Sequence, residues 1–251
     1  GGGQRGSGNE IKIEDGKVTA NGGKNAAGIG GGNRYDPSNK RGNGSNIEIS
    51  GGEVTANGGE QGAGIGGGNG GNGTGITVSG GEVTATGNGV RDISGAISNS
   101  GAGIGGGAGG SGSQITIKNG KVEATGNNYG AGIGGGNGGT GSEIKIVGGN
   151  VKAQGGWSGA GIGGGGGKGG NHIIVSGGEV AAKGGTLGAG IGGGMNGDSW
   201  NILIKDTTLT ALAFPLYPSS DYTELSASAV GRGSNRLGWT SVLFNPEFGL
   251  L

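Results

Sequence analysis

Read for its apolar and polar positions, the chain is a succession of short alternating runs separated by glycine. Glu143-Ile144-Lys145-Ile146 alternates polar and apolar, the two-residue period of a half-buried strand. Gly148-Gly149 then marks a turn, and Asn150-Val151-Lys152-Ala153 alternates again. After a loop at 154–159, the small-apolar run Ala160-Gly161-Ile162 starts a third strand. No segment carries an apolar stripe at helical spacing, and glycine is a poor helix former. The pattern predicts three strands per unit and no helix.

The unit recurs. Gly-Ala-Gly-Ile-Gly-Gly-Gly occupies 62–68, 101–107, 130–136, 159–165 and 188–194, with a variant at 26–32. A disguised seventh copy, Ala-Ser-Ala-Val-Gly-Arg-Gly, lies at 227–233. The central residues Ile29, Ile65, Ile104, Ile133, Ile162 and Ile191 are 36, 39, 29, 29 and 29 apart. A fixed period of this length means stacked supersecondary units. Three strands per repeat of about 29 residues predict an all-β, right-handed parallel β-helix of about seven coils, each strand pairing with its equivalent ~4.8 Å away. The right-handed form is expected because the six-residue beat of left-handed helices is lacking.

The strands align as ladders. Ile115/Ile117, Ile144/Ile146 and Ile173/Val175 belong to the first, and Val122/Ala124, Val151/Ala153 and Val180/Ala182 to the second. The glycine phrase supplies the third. Each coil thus offers about six inward apolar side chains, each worth ~1.5–3 kcal/mol for the larger ones. Extra residues of the long repeats fall at 33–42, 89–100 and 214–224, which read as corner loops. Residues 1–236 are the repeat domain. Residues 237–251, with Trp239, Phe244 and Phe248, are expected to cap an end that would otherwise invite edge pairing.

Composition sharpens this picture. Glycine contributes 77 of 251 residues and proline only 4, so collagen is excluded. The glycines sit at fixed phases, which argues against disorder. Net charge is zero and suggests no nucleic-acid partner. No apolar run approaches the ~20 residues of a membrane span, so no direct membrane insertion is expected. Cysteine is absent, excluding disulfides and thiolate chemistry. The opening Gly1-Gly2-Gly3-Gln4 resembles the tail of a preceding phrase, which suggests a fragment of a longer exported precursor, extracellular or on a cell surface.

Catalytic groups are not in evidence. Asp15, Asp36, Asp92, Asp198, Asp206 and Asp221 are scattered, whereas acid–base hydrolysis needs two carboxylates facing one bond. His172 is the one histidine and has no acidic partner in its own repeat. The glycine phrases lack the aspartate of calcium-binding nonapeptides. No catalytic residue, metal or cofactor is expected. The threonine file Thr19, Thr55 and Thr84 breaks at Glu123, which disfavours an ice-binding face.

Two features suggest contact surfaces. Tyr129 and Trp157 read as one corner on successive coils, with Leu187 next, and Tyr35 lies beside Arg34 and Arg41 in another corner. Aromatic faces of this kind suit sugar rings. The outward positions of the third strand are glycine throughout: Gly64, Gly66, Gly103, Gly105, Gly132, Gly134, Gly161, Gly163, Gly190 and Gly192. They form either a flat strip that packs against a second chain, a domain or a polymer, or a corner whose torsion angles demand glycine.

The glycine phrases and the Ile-x-Val-x-Gly-Gly-x-Val-x-Ala pattern resemble repeats of large exported surface proteins of Gram-positive and gut bacteria. The Ser-Gly-Gly-Glu-Val-Thr-Ala strings at 50–56 and 79–85 are more distantly similar to clostridial β-helix carbohydrate-binding domains. The resemblance implies a non-catalytic structural or adhesive module that binds polysaccharide or cell-surface glycan, or self-associates. A carbohydrate-active β-helix enzyme and an extracellular filament subunit are the alternatives.

Overall fold

Three parallel sheets, stacked rung upon rung, form the computed structural model, which describes Gly3 and residues 6–33, 42–91, 97–213, 228–233 and 240–244. The first sheet runs through Gly8–Ile13, Gly44–Ile49, Gly73–Val78, Gly112–Ile117, Gly141–Ile146, Gly170–Val175 and Ser199–Ile204, and ends at Thr240–Phe244. The second runs from Lys17–Asn21 through Glu53–Asn57, Glu82–Thr86, Lys121–Thr125, Asn150–Gln154 and Glu179–Lys183 to Thr208–Leu212. The third is built from two-residue strands, Ile29–Gly30 to Val230–Gly231. Every pairing between coils is parallel and links equivalent residues, as in Ile115↔Ile144, Val122↔Val151 and Ile133↔Ile162. The chain is a parallel β-helix of about seven coils. No helix occurs among the described residues.

The register follows from the side-chain period of two, since a slip of one residue would turn every isoleucine to solvent. In the middle coils the inward Ile, Val and Ala side chains are fully buried: Ile144, Ile146, Val151, Ala160 and Ile162 are at most 1% exposed, as is Ala153. At the N-terminal coil Ile11, Ile13, Val18 and Ala20 are only partly covered. The core is therefore completed by stacking, and no coil closes it alone. The disguised seventh phrase takes its place, with Val230 paired to Ile191.

Three local features depart from the expected layout. The first strands begin earlier than the alternation suggests, and their third residue adopts a left-handed backbone. This holds for Glu10, Asn46, Gly75, Gln114, Glu143, His172 and Asn201, with φ between 53° and 63°. The resulting polar column includes His172, whose Nε2 lies 3.1 Å from Asn201 Nδ2. The insertion at 89–100 forms an antiparallel hairpin, Gly89–Arg91 with Ile97–Ser100. Thr240–Phe244, placed by sequence in the cap, instead adds an eighth rung to the first sheet. The rest of 237–251 lies outside the described residues.

The glycine strip is not an outer face, and this corrects the expectation of a surface for a second chain. Gly64, Gly66, Gly103, Gly105, Gly132, Gly134, Gly161, Gly163, Gly190 and Gly192 are all buried. A Cβ on Gly132 would lie 2.6 Å from Gln154 N and Gly161 O. A Cβ on Gly134, whose φ is +135°, would lie 2.0 Å from Gly163 O. The surface that comes close is the chain's own backbone in the same and neighbouring coils, which leaves no room for a partner.

Candidate functional site

The second strand ends in an outward column, Thr86, Thr125 and Gln154, with Lys183 one coil on. The chain then turns through Gly126, Gly155 and Gly184, all buried. These glycines are dictated by crowding: a Cβ on Gly155 would lie 2.3 Å from Gly159 O. With no side chains, they form a floor. Beyond it the chain rises again at Asn128, Trp157 and Thr186, the equivalent first residues of the corner turn on three coils.

Floor and walls enclose an open groove of about 420 Å³, lined from Thr86 to Thr186 across four successive coils. Its long direction follows the solenoid axis. The side chains lining it are Thr86, Thr125, Asn127, Asn128, Gln154, Trp157 and Thr186, and none is charged. Trp157 is 51% exposed. An indole held half in solvent beside amides and hydroxyls offers a flat apolar face with hydrogen-bonding groups around it.

Of the aromatic corner expected from sequence, only Trp157 reaches this groove. Tyr129 and Trp157 are not equivalent: Ser158 N donates to Asn128 O and Leu187 N to Trp157 O, so Tyr129, Ser158 and Leu187 share one column and Asn128, Trp157 and Thr186 the next. Alternate residues of a tight turn face opposite ways. Tyr129 is half-buried, its ring 2.9 Å from where a Gly166 Cβ would stand, while Ser158 and Leu187 are buried at 0% and 9% exposure. Backbone bonds from Gly166 N to Tyr129 O and Met195 N to Ser158 O tie this column to the following loop. Tyr129 and Leu187 pack against the chain, and among the described residues this column holds no second aromatic ring to stack on Tyr129. Tyr35 lies outside the described residues. The repeat alignment displays the amide and hydroxyl column at 86, 125 and 154.

The ion pairs of the second sheet sit elsewhere. On the second sheet Lys17 pairs with Glu53 at 2.7 Å, Lys121 with Glu82 at 2.5 Å and Lys152 with Glu123 at 3.3 Å. The hydrogen bond from Lys121, and then its charge, hold the Glu82 carboxyl below its ordinary range. The same pair raises Lys121. A second open groove, about 400 Å³ beside Lys12, Glu48 and Lys118, occupies the first-sheet face where Gly75 interrupts the left-handed polar column. Among the described residues no three His, Asp or Glu side chains come together.

A family model described as a β-helix repeat matches residues 11–33, 47–69, 76–108, 115–140, 144–166 and 173–195, more than half of the chain. Each match starts at the first inward isoleucine of a coil and runs through that coil's glycine phrase, so the matched repeat follows the structural coil. No curated protein and no solved structure matches the chain.

Proposed function

Because the chain belongs to the β-helix repeat family, we propose that it is a non-catalytic extracellular scaffold that holds an uncharged polysaccharide along its axis. The observation that carries this reading is the uncharged groove beside Trp157. Its rungs repeat every ~4.8 Å, a spacing close to the length of one sugar in an extended chain. Each sugar then meets the next rung of the wall: Thr86, then Thr125 with Asn128, then Gln154 with Trp157, then Thr186. Trp157 supplies a stacking face. The amides and hydroxyls exchange hydrogen bonds with ring hydroxyls, and they would gain nothing from a uronate's charge.

Support for a binding role over catalysis comes from the carboxylates. Glu53, Glu82 and Glu123 are held by lysines on a neighbouring strand, away from the groove. Two carboxylates across one glycosidic bond are what hydrolysis requires.

The test is affinity electrophoresis and calorimetry against neutral polysaccharides, with pectin and alginate as charged counterparts. Retention by a neutral polymer is expected. Trp157→Ala should weaken it about tenfold or more, the loss of one well-placed aromatic contact. Its unfolding midpoint should stay put, since a half-exposed side chain contributes little to the core. Preference for pectin or alginate, or binding that survives Trp157→Ala, overturns the assignment of ligand and site. New reducing ends or unsaturated products overturn the non-catalytic role.

A further inference from the structure

One corner of the solenoid loses a hydrogen-bond ladder that the others keep. The residues just before the first strands are Asn43, Asn72, Ser111, Thr140, Gly169 and Asp198. Asn43 Oδ1 accepts from Asn72 N at 2.9 Å, Asn72 Oδ1 from Ser111 N at 3.0 Å, and Ser111 Oγ from Thr140 N at 3.3 Å. Gly169 has no side chain to continue the series. The parallel backbone series fails nearby. Gly112 N donates to Thr140 O at 2.9 Å and Gly141 N to Gly169 O at 3.2 Å, but the next bond, Gly170 N to Asp198 O, is not formed.

Oxygen atoms crowd together beside Gly169. A Cβ there would lie 2.0 Å from Asp198 O and 3.5 Å from Asn171 Oδ1. Asn171 is only 9% exposed, and its Oδ1 is buried without a hydrogen-bond partner. The Asp198 carboxylate Oδ1 is likewise buried and unpartnered. Burying a carboxylate oxygen with no donor is expensive. An inward amide oxygen and a backbone carbonyl beside it, both acceptors, make the deficit worse. What cancels a group of buried acceptors is a positive charge that accepts lone pairs.

We infer that a hard cation such as Ca²⁺ binds at this corner, held by Asp198 Oδ1, Asp198 O and Asn171 Oδ1. Calcium takes six to eight oxygen ligands in flexible geometry, and carbonyl and carboxylate oxygens are its ordinary partners. Water completes the shell on the solvent side. With a single carboxylate the affinity falls near that of weak extracellular modules, about 10⁻⁴–10⁻³ M. The site lies apart from the groove at Trp157 and stands or falls independently of glycan binding. Sequence reading found no metal site because only one of its two residues is acidic, and the decisive feature is a glycine.

Trp200 pairs in register with Asn171, close enough to sensitise a lanthanide. The whole chain is titrated with Tb³⁺ under indole excitation, and Ca²⁺ is then added as competitor. Saturable emission displaced by millimolar Ca²⁺ is expected, together with a rise in unfolding midpoint as Ca²⁺ is added. Asp198→Asn and Asn171→Ala should each weaken Ca²⁺ about tenfold or more. Trp200→Phe should dim the emission yet keep the Ca²⁺-dependent rise. No saturable emission, or undiminished Ca²⁺ binding by folded Asp198→Asn, overturns the site. The corner is then closed by water or by the Asn171 amide group turned toward Asp198.

Discussion

The second and third sheets are stacked by the same rule and treat their outward positions in opposite ways. Both pair equivalent residues in parallel on successive coils. Both turn apolar side chains inward, Val151 and Ala153 from one and Ile162 from the other. On the second sheet the outward rows carry Lys, Glu, Thr, Asn and Ala, and neighbouring coils differ freely. On the third those positions are glycine and buried. The difference is backbone clearance. The second sheet faces solvent, so any side chain fits. The third is packed so closely against the chain's own backbone that even a methyl group has nowhere to go. A glycine ladder therefore reports how close the neighbouring backbone lies, and says nothing by itself about a partner.

The sharpest way to break this comparison is to add one methyl group to the third sheet. Gly134 combines both constraints: φ is +135°, and a Cβ would lie 2.0 Å from Gly163 O. Neither can relax locally, because Gly163 and Gly105 sit in identical surroundings one coil away on either side. Gly134→Ala should cost about 4 kcal/mol or more, in the range reserved for core disruption and backbone strain. Denaturant unfolding measures it. Because a solenoid opens by segments, limited proteolysis should first cut near the coil holding residue 134. A loss under about 1 kcal/mol would mean that the backbone is not packed as described.

A gentler substitution separates torsion from crowding. Gly138 has φ +71° but no heavy atom within 4 Å of the Cβ position. Gly138→Ala should cost about 1 kcal/mol, the penalty of a left-handed L-residue. Gly138→Asn should cost less, since asparagine tolerates that region. Gly23 has neither constraint, with open space and no left-handed φ. There Gly→Ala should be neutral, or stabilising by up to about 1 kcal/mol through the unfolded chain. The order 134, 138, 23 in a set of thermal melts is the expected result. An equal cost at all three would show that glycine number, rather than position, sets stability.

Much of the fold was legible because its cause is local and repeated. The two-residue alternation at 144–146 and 151–153, and the return of isoleucine every 29 residues, require nothing from outside the repeat. Even the disguised phrase around Val230 could be found. What fills the space beside a glycine could not be read, because the sequence records only that a side chain is missing. At Gly132 the answer is the amide of Gln154, 22 residues on in the chain. The corner aromatics failed for a different reason. Counting back from Gly130 and Gly159 pairs Tyr129 with Ser158 and puts Trp157 in the next column. In a tight turn one residue of phase decides between packing and exposure. The amide and hydroxyl wall stands in the alignment as a column, but no single member of it is distinctive. The left-handed residues at Glu143 and His172 hide inside a run that otherwise looks like an ordinary strand.

The smallest effect belongs to the freest surface, the Glu82–Lys121 pair of the second sheet. Its side chains are about half exposed and 2.5 Å apart. The hydrogen bond and charge of Lys121 lower the Glu82 carboxyl, so its share of stability is present above the ordinary carboxylate range. That share is lost as pH falls through the lowered value. Lys121 is raised, so its share is present below the ordinary lysine range and lost as pH climbs through the raised value. Between those limits the pair is intact, yet solvent and salt screen it. Glu82→Gln should therefore leave the unfolding midpoint at neutral pH almost unchanged, and any gap from the parent should close in acid, where Glu82 is itself uncharged. A gap that persists in acid, or widens with added salt, would mean that Glu82 acts through packing, and that the second sheet is less tolerant of change than its open face implies.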